Sequence, residues 1–214
     1  MFELSDVAYK DILTIDRLRL EKGRVTSIVG ESGSGKTTLL RLLNKLISCD
    51  RGKITYQGQD IQTMDAVLLR RSVVMLPQNP AVYPGSVRDN LAIGLAFAEK
   101  PPVADDRLCQ VLAQVNLNKD LDIKSDLLSG GEKQRLALAR IMLLEPDVYL
   151  LDEPSSALDE NTERLIIEAL VATAQENGKT LIMVTHTRQI AQAYADRTIE
   201  IRGGSIVSDQ EVRS

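Results

Sequence analysis

The sequence has few of the residues that build disulfide frameworks or metal centres. Its 214 residues include two cysteines, Cys49 and Cys109, a single histidine and no tryptophan. Two cysteines this far apart indicate neither a disulfide scaffold nor a zinc site, and they are typical of thiols in a reducing compartment. These shortages exclude the small disulfide-rich and zinc-finger classes of protein.

Strong charge of one sign and long apolar runs are lacking as well. The formal net charge is −4, with acids and bases interspersed, so we expect no nucleic-acid partner. No apolar run approaches the roughly 20 residues of a membrane-spanning helix, and the first residues lack the pattern of an export signal. We therefore expect a cytoplasmic protein with a single domain over residues 1–214, because this length suffices for one sizeable core.

The most informative stretch is Gly-Glu-Ser-Gly-Ser-Gly-Lys-Thr at residues 30–37, directly after the apolar run 25–29. Its glycines permit positive φ angles, which bring backbone N–H groups against phosphate oxygens at a helix N-terminus. A glycine-rich surface turn is the alternative, but every fixed position favours a phosphate loop for a nucleoside triphosphate with Mg²⁺. In that pattern the lysine reaches the β and γ phosphates and the threonine hydroxyl binds magnesium. The candidate binding residues are Gly30, Ser32, Gly33, Ser34, Gly35, Lys36, Thr37 and Thr38.

A second candidate anion site is Leu-Ser-Gly-Gly-Glu-Lys-Gln-Arg at residues 128–135, before the apolar helix predicted at 136–144. Ser129, Gly130 and Gly131 stand where the free N–H groups of a helix point outward. An ordinary N-cap is the alternative, because Ser129 and Glu132 have the spacing of a capping box. Two glycines weaken a first turn, which favours a ligand.

At this point the sequence resembles the ATP-binding cassette (ABC) family, whose defining motif reads LSGGQ or a near variant. Glu132 stands in the place of the glutamine. The resemblance implies an α/β fold: a P-loop core with a mostly parallel central sheet, an antiparallel β subdomain at the N-terminus and a helical insert. It places the nucleotide-binding core in residues 1–76 and 146–214 and the helical subdomain in residues 77–145.

Two adjacent carboxylates, Asp152 and Glu153, end the apolar run that begins at residue 148. A continuous apolar run is typical of a central parallel strand, and open α/β sheets bind ligands at the carboxyl ends of such strands. Alone, this pair would more often be a solvated loop. With a phosphate loop upstream, we expect Asp152 to approach magnesium through water and Glu153 to polarise the water that attacks the γ phosphate.

The resemblance implies roles for four further residues. His186, after the strand predicted at 180–185, would hold the γ phosphate and the attacking water, and Gln78 would contact magnesium and water. Tyr9 would stack on adenine, although an ordinary strand aromatic is the alternative. Asp159 would belong to a loop through which two subunits communicate, or would cap the following helix.

Strand and helix alternation is visible along the rest of the chain. We predict strands at 2–9, 13–20, 24–29, 53–56, 72–76, 147–152, 180–185, 198–201 and 205–207. Helices are expected at 38–43, 136–144, 160–175 and 188–194, with further helical pattern between residues 77 and 146.

Two anion sites in one chain imply, through the resemblance, a head-to-tail homodimer in which each ATP lies between one phosphate loop and the partner's Ser129 motif. The segment from Gln78 to Phe97 has more apolar residues than a solvated loop needs. Either its helix packs inward, or a groove there receives a helix from an integral-membrane transporter subunit. That partner would hold the chain at the inner face of the cell membrane.

The function expected from these motifs is ATP hydrolysis that energises a transporter. A soluble ABC-type ATPase acting on ribosomes or DNA is the alternative, and a non-hydrolytic nucleotide-gated module is a third. Residues 77–91 resemble those of exporter-type cassettes and of some phosphate importers. The short chain also resembles stand-alone cassettes linked to the export of a metal, with iron as the candidate.

Overall fold

Two β-sheets form the framework of the chain, and the computed structural model describes residues 1–155, 159–185 and 188–212. The smaller sheet is antiparallel and has the order β2-β1-β4-β5. Its strands are β1 (Phe2–Tyr9), β2 (Leu13–Leu20), β4 (Arg51–Tyr56) and β5 (Gln59–Asp60). Apolar side chains alternate along β1 and β2, which buries one face of this sheet.

The larger sheet has the order β10-β9-β3-β8-β7-β6 and is parallel except for its edge strand β10. Its strands are β3 (Val25–Val29), β6 (Val73–Leu76), β7 (Val148–Asp152), β8 (Thr180–Val184), β9 (Arg197–Arg202) and β10 (Ser205–Glu211). Every residue of β3, β7 and β8 is buried, as expected for central strands covered on both faces.

Seven α-helices cover the sheets in the part of the chain that the structure describes. They are α1 (Lys36–Leu43), α2 (Ala66–Ser72), α3 (Val87–Phe97), α4 (Asp105–Gln114), α5 (Gly130–Leu144), α6 (Glu160–Glu176) and α7 (Arg188–Tyr194). A 3₁₀ turn, Ser125–Leu127, precedes α5. Among residues 1–155, 159–185 and 188–212, no helix combines the length and the apolarity needed to cross a bilayer.

Alternate residues of the central strands point into two separate hydrophobic clusters. In β7, Leu150 packs with β1, β2 and α1, whereas Tyr149 and Leu151 pack with the helices of the other face. Helices α3, α4, α5 and α6 cover this other face. Their buried residues include Val87 and Leu91 of α3 and most of α5. The α/β class with a parallel central sheet and an antiparallel N-terminal sheet is therefore confirmed.

Most of the predicted element boundaries lie within one or two residues of those in the structure, with two exceptions, and two elements, β5 and α2, were not predicted. Strand β10 continues to Glu211 rather than residue 207, and α5 begins at Gly130 rather than residue 136. Helix α2 was not predicted, because seven residues with one buried side chain, Leu69, give too short a periodic pattern.

Candidate active site

The parallel strands bring the predicted site residues to one edge of the larger sheet. The register pairs Leu76 of β6 with Leu151 of β7, and Asp152 of β7 with Val184 of β8. Val184 is also paired with Ile28 of β3, so all four strands end together. The carboxylate pair spans the end of β7, and the loops after the other strands carry the phosphate loop and the predicted glutamine, at the edge where such sheets bind ligands.

The phosphate loop requires its glycines for two different reasons. Gly30, Gly33 and Gly35 have φ angles of 148°, 78° and 105°, in the region that favours glycine. A Cβ on Gly30 would lie 2.1 Å from the carbonyl oxygen of Ile201, and one on Gly35 would lie 2.9 Å from Leu13. A Cβ on Gly33 would meet nothing within 4 Å, so only the backbone angle demands glycine there.

Lys36 lies inside the curve of this loop. Its Nζ donates hydrogen bonds to the carbonyl oxygens of Gly30, at 2.8 Å, and Glu31, at 2.7 Å. The residue is only 5% exposed, and burial lowers the pKa of its ammonium group, while Glu153 and Asp152 act in the opposite direction. The lysine is thus held on the surface that a phosphate group would occupy.

Two features of the loop fit a phosphate anion. Helix α1 begins after Gly35 without a side-chain cap on its first turn, so its leading N–H groups face the loop. The Ser34 hydroxyl is buried and has no hydrogen-bond partner among the described residues. Buried hydroxyl groups are normally satisfied, so both features favour a ligand that supplies acceptor oxygens.

Thr37 and Asp152 form an oxygen-rich pair beside the loop. The Thr37 hydroxyl donates a hydrogen bond of 2.9 Å to Asp152 Oδ1, and Asp152 is 3% exposed. Burial raises the pKa of Asp152, and the Thr37 hydrogen bond opposes this effect. Hydroxyl and carboxylate oxygens are ligands that Mg²⁺ prefers, so this pair fits that ion.

Glu153 and Gln78 are in direct contact. Gln78 Nε2 donates to Glu153 Oε2 at 2.7 Å, and the Glu153 N–H donates to the carbonyl of Val184 at 3.1 Å. Glu153 has a φ angle of 50°, which is uncommon for a non-glycine residue and is found at functional sites. The structure thus brings together the two residues predicted to contact the attacking water.

Two of the predicted positions give less information. His186 and the loop residues 156–158 lie outside the described residues. Asp159 caps α6, because its carboxylate accepts hydrogen bonds from the Thr162 N–H, at 3.0 Å, and the Thr162 hydroxyl, at 2.7 Å. The Thr162 hydroxyl, followed by its N–H, lowers the pKa of Asp159.

Ser129 and Glu132 form the capping box that the sequence left as one alternative. Ser129 N–H donates to Glu132 Oε2 at 2.8 Å, and Glu132 N–H donates to the Ser129 hydroxyl at 3.3 Å. Lys119 Nζ lies 2.9 Å from Glu132 Oε1. This ion pair, followed by the Ser129 N–H and hydroxyl, lowers the pKa of Glu132 to about 2. A Cβ on Gly130 would meet nothing within 4 Å, so packing in the monomer does not demand this glycine.

Tyr9 ends β1 and is half-buried, with Lys10 Nζ 5.2 Å from its ring centroid. The turn after it reaches the phosphate loop, because a Cβ on Gly35 would lie 3.1 Å from the Ile12 carbonyl oxygen. Tyr9 is therefore connected to the phosphate loop through this turn. Stacking of its ring on adenine stays a prediction.

A groove with a volume of about 520 Å³ lies between α2, β6, α3 and α5, in the region where the sequence left a docking groove as one alternative, but the contribution of α2 was not predicted. Tyr83 lines it and contacts Phe97 in an edge-to-face arrangement with centroids 6.1 Å apart. The Arg140 guanidinium lies 5.1 Å from the Tyr83 ring centroid. The only signal for its α2 wall was Asp65, whose carboxylate caps that helix.

Helix α3 answers in part whether the apolar segment at residues 78–97 packs inward or forms a docking groove. Val87, Leu91 and Leu95 are buried in the core, so inward packing is right for these residues. Val82 also packs against that core, and Ile93 is half-buried. Phe97, in contrast, is 61% exposed beside the groove.

Comparison with known proteins finds relatives among ABC transporters. The family model described as ABC transporter matches residues 13–156. Protein STAR1 of Oryza sativa subsp. japonica is 38% identical over 204 residues, which cover 95% of this chain and 59% of that protein. The ABC-type transporter fsqE of Aspergillus fumigatus is 36% identical over 186 residues, or 82% of this chain and 14% of that protein. The chain thus spans less than two thirds of the length of both relatives.

A solved structure with the same fold covers the whole chain. It is the dimeric ATP-binding cassette MJ0796 in a post-hydrolysis state bound to ADP and Pi, with a TM-score of 0.90, 27% identity and full coverage of both chains.

Proposed function

Because this chain belongs to the ABC transporter family and consists of an ABC ATPase cassette, we propose that it is the ATP-binding and ATP-hydrolysing subunit of an ABC transporter. The proposal rests on two hydrogen-bonded pairs of side chains that lie beside the phosphate loop. Thr37 with Asp152 and Gln78 with Glu153 converge on one sheet edge. This arrangement supports metal-assisted phosphoryl transfer to water, with residues 77–145 as the helical subdomain.

Each residue has a distinct task in this proposal. Lys36 and the N–H groups of residues 30–38 bind the β and γ phosphates, and Tyr9 packs against adenine. Mg²⁺, when bound, neutralises phosphate charge, and Thr37, Asp152 and Gln78 would hold it. Glu153 accepts a proton from the attacking water, and His186 contacts the γ phosphate and that water.

The working unit that we propose is a head-to-tail homodimer. Ser129 and Gly130 are exposed, and no hydrogen bond or ion pair of the described residues joins Ser129, Gly130, Gly131 or Glu132 to residues 30–37. The motif is therefore open to a second molecule. With ATP between the motif and the partner's phosphate loop, binding of nucleotide stabilises the dimer and hydrolysis releases it. Asp159 would face the same junction.

The groove beside Gln78 is the proposed docking site for a membrane-spanning partner. Two of the apolar residues that line it are exposed, Val67 at 50% and Phe97 at 61%. A short amphipathic helix of the partner would cover these side chains, a common mode of helix recognition. Such docking would make this chain a cytoplasmic protein held peripherally at the inner face of the cell membrane.

Export is proposed on the resemblance of residues 77–91 to exporter-type cassettes, and a metal, with iron as the candidate, is proposed as the cargo on the resemblance to small stand-alone cassettes linked to metal export. Deleting the gene and measuring growth across a series of metal concentrations tests this assignment. Lower tolerance to iron supports it, and unchanged tolerance to every metal removes it.

The ATPase activity is tested by phosphate release from the purified chain with Mg²⁺ and ATP. We expect turnover in the wild type and none in Lys36→Met, which keeps the side-chain length without the charge. Retained turnover in Lys36→Met would contradict the assigned site.

A further inference from the structure

Gln134 connects the helix of the Ser129 motif to the Glu153 loop. It lies in the second turn of α5 and is 3% exposed. Its Nε2 donates a hydrogen bond of 2.7 Å to the Pro154 carbonyl and a longer one of 3.4 Å to the Glu153 carbonyl. Carbonyl oxygens only accept hydrogen bonds, so this pair fixes the orientation of the amide.

The Glu153 backbone is held from two sides. Its N–H donates to Val184 of β8, and its carbonyl faces Gln134 of α5. Between these contacts the residue has a φ of 50°, a conformation that persists only where surroundings enforce it. The direction of the Glu153 carboxylate, and its contact with Gln78, thus depends on where α5 places the Gln134 amide.

The same helix begins at the Ser129 motif. Gln134 follows Ser129 by five residues, a distance of about 7.5 Å along a rigid helix. Displacement of the helix start therefore carries the Gln134 amide with it.

We propose that Gln134 is a positioning residue that sets the Glu153 backbone for hydrolysis and ties it to the position of the Ser129 motif. This inference rests on the proposed ATPase function, but it concerns a residue outside the nucleotide site. In this role Gln134 acts through the Glu153 and Pro154 carbonyls.

Asn90 offers a matched control. It is fully buried in the same helical insert, and its Nδ2 donates to the carbonyls of Tyr83, at 2.9 Å, and Ser86, at 3.0 Å. Both acceptors lie within the insert, so Asn90 satisfies backbone carbonyls without touching the Glu153 loop.

The test compares Gln134→Met with Asn90→Leu in the intact chain. Gln134→Met keeps the side-chain volume and loses the donor, so we expect kcat to fall by about 100-fold, because small displacements of a reacting group are costly. KM for ATP should stay within about twofold, since ground-state binding is untouched. Asn90→Leu should lower the melting temperature and keep kcat per folded molecule. Wild-type kcat in Gln134→Met would overturn the proposal.

If Gln134→Met fails to fold, Gln134→Glu decides the matter. A protonated carboxyl can donate to the Pro154 carbonyl, whereas the carboxylate cannot. The ratio of variant to wild-type kcat should therefore rise as pH falls, and a constant ratio would overturn the proposal. Absence of ATP hydrolysis in the wild type would instead count against the proposed function itself.

Discussion

Gln78 Nε2 and Glu153 Oε2 are joined by a hydrogen bond of 2.7 Å across the ends of two neighbouring strands. This contact links the docking groove, which β6 helps to line, to the residue assigned as the base.

Gln78→Glu tests the assignment of Glu153 as the base. The change removes the Nε2 donor and places a second carboxylate against Glu153, so the two charges repel and displace the Glu153 carboxylate. We expect kcat to fall by about 100-fold, the lower end of what a positioned base contributes. Steady-state phosphate release checks this loss. Gln78→Leu, which adds no charge, should lose less activity, and wild-type kcat in Gln78→Glu would contradict the assignment.

Two glycine substitutions distinguish the role of the phosphate loop from that of the Ser129 motif. Gly30→Ala should destabilise the fold by about 1–3 kcal/mol or more, because its Cβ would overlap the Ile201 carbonyl. Gly130→Ala should fold at least as well as the wild type, since its Cβ has open space and alanine favours helix. We expect Gly130→Ala to lose ATP-dependent dimerisation while binding ATP as a monomer. Thermal melting and nucleotide titration check both variants, and normal dimerisation of Gly130→Ala would argue against its place at the interface.

Lys119→Met should weaken the fold in a pH-dependent way. The pKa of Glu132 is lowered from 4.5 to about 2, chiefly by Lys119. A lowered pKa adds stability that is fully present above pH 4.5 and is lost as pH falls toward 2. The difference in urea midpoint between wild type and variant should therefore be larger at pH 7 than at pH 3.

The control for this variant is Lys53→Met. Lys53 is 60% exposed and lies 3.9 Å from Asp60, a loose surface pair. The urea midpoint of Lys53→Met should differ little from that of the wild type at either pH. An equal decrease in the urea midpoint of Lys119→Met at pH 7 and pH 3 would show that the Lys119 ion pair does not lower the pKa of Glu132.

Phe97→Asp tests the docking groove. The side chain is exposed and outside the core, so the fold and basal ATP hydrolysis should be retained. Loss of a central aromatic contact typically costs about 2 kcal/mol or more, which is roughly 30-fold in affinity for the partner. Copurification with the membrane subunit and ATP-driven transport should both fall.

The control is Val207→Asp on edge strand β10, where the side chain is 52% exposed. It should leave partner binding unchanged. Equal loss of binding in the two variants, or none in Phe97→Asp, would remove the groove as the docking site.

Contiguous motifs were the part of the site that the sequence could predict. Residues 30–37 and the Asp152–Glu153 pair each occupy one short stretch, and the fold follows from alternating apolar strands and helices. Gln78 was found through resemblance to a family. The Gln134 contact with Pro154 and the Arg140 contact with Tyr83 join residues far apart in sequence, which periodicity does not pair. Helix α2 was too short and too exposed to produce a pattern.

The central claim is ATP-dependent, head-to-tail pairing of a hydrolysing cassette, and Glu153→Gln tests it most directly. We would measure the mass of this variant by light scattering after gel filtration with saturating ATP and Mg²⁺. The account predicts a stable dimer with ATP, a monomer without it, and a monomer for Glu153→Gln combined with Lys36→Met. A Glu153→Gln protein that stays monomeric with saturating ATP and Mg²⁺ would contradict the account.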